Sequence, residues 1–92
     1  MARIYHSREI GMANIRAALV THPGEADLCV YRVSSRGLAH GDAYWFICRD
    51  QGEATACVHF TSIGMAQVKI CFVSARGEAG WRTRHRLKGR FG

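Results

Sequence analysis

The 92-residue sequence contains no long apolar run. Nothing in it approaches the ~18–20 consecutive apolar residues that a membrane-crossing helix needs, so no membrane partner is expected. The opening MARIYHSREIGMANIR lacks a continuous apolar core, which argues against a secretory leader and makes the cytoplasm the expected location. Cys29, Cys48, Cys57 and Cys71 include no CxxC pair and are irregularly spaced. Zinc sites built from four cysteines normally show paired short spacings. Without a secretory leader, reduced thiols are the better expectation. There is also no Gly-rich phosphate loop. The acids Asp27, Asp42, Asp50 and Glu78 form no recognisable catalytic pair, and His6, His22, His40 and His85 show no ligand spacing. These absences leave no motif for a metal, a cofactor or a catalytic centre, so none is expected.

Acidic residues are missing from one stretch in particular. Residues 81–92 hold five Lys/Arg and no Asp or Glu, a net charge of +5, whereas residues 1–80 carry only +1. The chain is long enough for one domain, and an apolar fraction of 48% is that of an ordinary globular protein. So short a chain has a small core that must be used well.

What the chain does contain is a recurring Gly-x-Ala triplet, at 11–13, 24–26, 37–39, 52–54, 64–66 and 77–79. Aligned on the alanine, the units fall into columns. Two residues after it stand Ile15, Leu28, Ala56, Val68 and Trp81, and four after it Ala17, Val30, Val58 and Ile70. Six after it stand Leu19, Arg32, Phe60 and Phe72. Spacing by two places these side chains on one face of a strand. The residue directly after the alanine is never apolar: Asn14, Asp27, His40, Thr55, Gln67, Gly80. With Arg16, Cys29, Cys57, Lys69 and Arg82 it forms an opposite face that reads as wet.

Each unit of about thirteen residues is therefore expected to be a short strand followed by a turn. The triplet's glycine would supply an unusual backbone conformation or a close approach. The unit at 39–53 is longer and carries Gly41-Asp42, read as a bulge or an extra turn. The expected fold is all-β, six or seven short strands in one small domain. A short helix near residues 8–20 competes for the first unit, because Ile10, Ala13, Ala17 and Val20 also fit a helical face.

The phrases ADLCVYRVS (26–34) and AQVKICFVS (66–74), with the closing AGW (79–81), resemble the septoil-knot domain family over roughly residues 2–82. That resemblance implies a small β-rich domain whose backbone follows a seven-crossing torus knot. It implies no catalytic residues, since the family is functionally uncharacterised. The chain departs from the family phrase in ANIRAALVTHPGE (13–25), which is more helical. It also departs in its basic extension beyond Trp81. Residues 1–82 are thus read as the repeat-built domain and 83–92 as a basic C-terminal tail.

That tail carries the sharpest functional signal. Arg82, Arg84, Arg86, Lys88 and Arg90 alternate strictly, so in an extended chain all five would point one way. Guanidinium forks suit phosphates, and the interleaved Trp81, His85 and Phe91 could stack on bases. The leading expectation is a non-enzymatic structural or binding module, monomer or homodimer. Nucleic acid, or another anionic surface, held by these five cations is the first alternative. A charged, solvated tail is the plain reading of the same residues. The second alternative rests on Cys57 and His59, two apart on one strand face, as the thiol and imidazole of a hydrolase or redox protein. A third group would be needed, and the sequence does not place one.

Overall fold

The computed structural model describes residues 2–92. Six five-residue strands follow one another: β1 Ala2–His6, β2 Ile15–Leu19, β3 Leu28–Arg32, β4 Tyr44–Cys48, β5 Ala56–Phe60 and β6 Val68–Phe72. A two-residue β7, Gly80–Trp81, comes last. Between successive strands lies a three-residue 3₁₀ turn, each with the triplet's glycine at its centre. The triplet's alanine then takes extended backbone; the Ala26 N–H, for example, closes its turn on the Pro23 carbonyl (3.2 Å). Residues 8–20 form such a turn and β2, not a helix. Of the stripe that fits a helix, Ala17 points into the barrel while Val20 is buried outside it against Cys71, so a two-sided burial imitates one helical face.

The strands close into a six-stranded parallel barrel in the order β4-β1-β5-β2-β6-β3, with β3 returning to β4. The chain therefore circles the barrel twice. It advances two places at a time through β1, β2 and β3, then fills the gaps with β4, β5 and β6. Each link within a circuit must stride over the strand in between, whereas the longer β3–β4 link joins two neighbours. Val20 and Ala26, in the β2–β3 link, pack outside β6 on Cys71. The β5–β6 link in turn lies on β2, where Arg16 Nε donates to the Met65 carbonyl (3.1 Å).

Each neighbouring strand is displaced by two residues around the whole ring, as in Ile4↔Ala56, Ile15↔Val58, Ala17↔Val68 and Leu28↔Ile70. A two-residue step keeps every inward side chain inward; a one-residue step would turn it out. The inward residues form three levels. Ala2, Ile15, Leu28, Ala43, Ala56 and Val68 make the lowest, and Ile4, Ala17, Val30, Trp45, Val58 and Ile70 the middle one. Trp45, fully buried, fills space that the alanines leave. These are the columns two and four residues after the triplet, shifted by two in the longer unit.

The supposedly wet face is only partly wet. Cys29 is 0% and Cys57 7% exposed, Cys29 because the crossing links lie over it. The column directly after the alanine has a specific task. Asn14 donates its N–H to the Cys57 carbonyl and accepts the Cys57 N–H on Oδ1 (3.0 Å). Asp27 treats Lys69 in the same way, Gln67 treats Arg16, and Thr55 treats Arg3. Four successive barrel seams thus begin with a polar side chain that completes the neighbouring strand's ladder.

The triplet glycines carry neither feature expected of them. None has a positive φ. A Cβ would meet nothing within 4 Å at Gly11, Gly24, Gly37, Gly64 or Gly77. Gly41 does have one (φ +56°), at the turn that precedes β4.

Candidate functional site

The lower end of the barrel is where the C-terminal segment ends up. β3 pairs with β4 only at Tyr31 and Arg32, so the wall splays at the start of β3. There β7 pairs antiparallel with Leu28 and Cys29 and fills the notch. The chain then crosses the opening. Phe91 is fully buried, its ring 5.3 Å from that of Trp45, and Leu87 packs beside the core. The last residues are a plug for the barrel as well as a charged segment.

Asp42 holds the plug. Its carboxylate accepts from Trp81 Nε1 (2.8 Å), from the Phe91 N–H (3.2 Å) and from the Gly89 N–H. Its backbone carbonyl accepts from Trp45 Nε1 (2.6 Å). Thr55 Oγ1 donates to the Phe91 carbonyl (2.7 Å). Asp42 belongs to the extra length of the 39–53 unit. The irregularity in the repeat therefore supplies the anchor for the tail.

The five cations do not form one extended row. The chain bends at Arg82 and turns again over 86–89, and all five side chains stay exposed. Arg82, Arg84 and Lys88 gather, with Trp81, Thr83 and His85, around a shallow hollow of about 500 Å³. Arg90 sits at another of about 260 Å³ with Asn14, Thr55 and Leu87, and Arg86 lines neither. His85 stacks on Trp81 at 5.3 Å, so one face of the indole is already covered. Among the described residues none of the five cations is in an ion pair. Besides Asp42, the Asp27 carboxylate lies close to this segment, 3.8 Å from His85 Nε2, and it is also bonded to the Lys69 N–H.

The other candidates are more enclosed than expected. Cys57 is buried, and His59 Nδ1 donates to the Ser7 carbonyl (2.9 Å). Among the described residues no three His, Cys, Asp or Glu side chains are grouped to hold a metal ion. Burial, with a smaller push from Glu53, raises the Cys48 thiol above its ordinary 9.0. Burial, helped by Cys29, raises Cys71 likewise. Buried thiols of this kind are poor nucleophiles at neutral pH. Among the described residues no helix is long and apolar enough to cross a membrane.

The role of Asp42 escaped the sequence reading because its partners lie about forty or more residues away. The polar column was visible, but its pairing requires knowing which strand lies alongside.

Searches of curated proteins and of solved structures found no match. A family model described as the 7(1) septoil knot domain matches residues 1–82. That match spans all seven strands, including the doubly wound barrel that β1 to β6 form, and the chain belongs to this family.

Proposed function

We propose that the protein is a non-enzymatic binding module whose basic closed end takes an anionic polymer, with nucleic acid as the ligand class. One observation supports this reading above the others: five exposed cations, none ion-paired among the described residues, sit on a segment fixed by Asp42 and Phe91. A cation already held in place loses less side-chain and loop freedom on binding than one on a floppy arm. The hollow gathers Arg82, Arg84 and Lys88, so these three carry the contact, and Arg86 and Arg90 lie to its sides.

The test is a titration of single- and double-stranded DNA and RNA at two salt concentrations. It compares the full chain with an Arg82→Gln, Arg84→Gln, Lys88→Gln variant. Three neutralised phosphates on a duplex give a log–log salt slope of about −2.7, against about −4.5 if all five cations engaged. Truncation before the tail is the wrong variant, because it removes the Phe91 plug with the charges. Equal binding by variant and parent, or no salt-dependent binding by either, sinks the proposal.

A further inference from the structure

Among the described residues nothing plugs the upper end of the barrel. There the third inward level is made of His6, Leu19, Arg32, Ile47, Phe60 and Phe72, one residue from each of the six barrel strands. They enclose a hollow of about 260 Å³ over a floor of Ile4. Leu19 is 55% and Ile47 41% exposed. Both point into the mouth, where the levels below are closed and dry.

The order of strands divides this rim in two. Arg32 and His6 flank Ile47 on one half, since β4 lies between β3 and β1. Phe60, Leu19 and Phe72 occupy the other half, on β5, β2 and β6. The Arg32 guanidinium lies over the Phe72 ring, 4.6 Å from its centroid, and the His6 ring meets Phe60 edge-on at 5.0 Å. Among the described residues Arg32 makes no ion pair. The mouth thus presents one hollow with an apolar side at Phe60 and Leu19 and a permanent cation, Arg32, lying over Phe72 at its edge.

We infer that this upper mouth binds a small monoanion with an apolar body, such as a medium-chain or aryl carboxylate. Its body would lie against Phe60, Leu19 and Phe72, and its carboxylate would reach Arg32. Charge complementarity selects the anion: arginine keeps its charge at any working pH and offers a fork that matches a carboxylate. Size limits the body. At the ~30 Å³ that a water occupies in the liquid, the hollow has room for about nine heavy atoms. Small-molecule sites are typically apolar concavities with a few placed polar groups, and this mouth has that composition. Two copies set mouth to mouth would instead crowd two Arg32 guanidinium groups onto one small face, which disfavours a second copy as the occupant.

The site lies at the opposite end of the barrel from the basic tail, so it can be tested independently of the polymer reading. Three probes are titrated into the isotope-labelled full chain while methyl and amide resonances are followed: octanoate, 1-octanol and acetate. Octanoate is expected to move the Leu19 and Ile47 methyls saturably, and acetate is expected not to. Octanol should bind about two- to five-fold more weakly than octanoate, the worth of one exposed ion pair. Arg32→Gln should bring octanoate down to the level of octanol and leave octanol unchanged, while Arg32→Lys should keep most of the difference. Leu19→Gln should weaken both chains. Circular dichroism of each variant shows whether it is folded. The inference is overturned by non-saturable shifts, by shifts confined to residues 81–92, or by Arg32→Gln acting equally on octanoate and octanol. Concentration-dependent dimerisation that buries Ile47 also overturns it.

Discussion

Replacing Asn14 by alanine removes one acceptor at the seam between β2 and β5. The consequence can be worked out from the geometry. In the wild type the Cys57 N–H donates to Asn14 Oδ1 at 3.0 Å, and Cys57 itself is only 7% exposed. Water reaches this N–H poorly, so the variant leaves a buried donor unsatisfied, at a cost of about 1–3 kcal/mol. In a domain of this size that lowers Tm by roughly 4–8 °C for each kcal/mol. The matching change at the next seam, Gln67→Ala, frees the Arg16 N–H beside an exposed residue. Water can replace the lost acceptor there, and the cost should stay within about 0.5 kcal/mol. Asn14→Asp keeps an acceptor and should recover most of the loss. The assay is equilibrium urea unfolding of all three variants, approached from both the folded and the unfolded side, with hydrogen exchange at the Cys57 amide. If Asn14→Ala costs no more than Gln67→Ala, or leaves Cys57 exchange unchanged, then the polar column does not complete the ladder as argued.

Three further outcomes are expected. Asp42→Ala leaves the Gly89 and Phe91 N–H groups and Trp81 Nε1 without their acceptor, so it should speed exchange at both amides and raise fluorescence quenching of Trp81. Unchanged protection would mean that Phe91 burial alone holds the plug. Gly24→Ala and Gly64→Ala place a methyl group in open space at ordinary backbone angles, and each should stabilise by about 0.4–1 kcal/mol through the unfolded chain; destabilisation in urea titrations would reveal a constraint that the backbone does not display. The thiols of Cys48 and Cys71 are raised above 9.0 in the fold. Above that pH the unfolded chain gives up these protons first and the native state keeps them, so stability should fall as pH rises past about 9. A Cys48→Ala, Cys71→Ala variant should lose that part of the decline in alkaline melts.

The columns of the repeat made the barrel interior legible before any topology was known. Ile15, Leu28 and Val68 at one level and Ala17, Val30 and Ile70 at the next were placed correctly, because alternation along a strand is a local property. The outer face was misjudged at Cys29 and Cys57 for the complementary reason. Its burial comes from links that stride over it, and nothing in a strand records what crosses above. The tail illustrates the same limit. Its charges were plain, but extended alternation predicted a row, whereas Phe91 is drawn into the barrel and the segment bends around Asp42. The mouth is not legible in the sequence although four of its six rim residues align. Leu19, Arg32, Phe60 and Phe72 stand in one column of the repeat, but nothing in a column marks its level as the open end of a barrel.

Every seam of the barrel joins a strand of the first circuit, β1 to β3, to a strand of the second, β4 to β6. No two strands from the same circuit touch as sheet neighbours. A chain emerging from the ribosome therefore has no barrel seam to form until β4 has been made, and the first half cannot be a folding unit. Conversely, a single cut in the exposed turn at residues 36–38 would divide the protein into two pieces, neither with a barrel seam of its own. Each piece would be the template for the other, so the nicked protein would behave as an obligate heterodimer of its own halves.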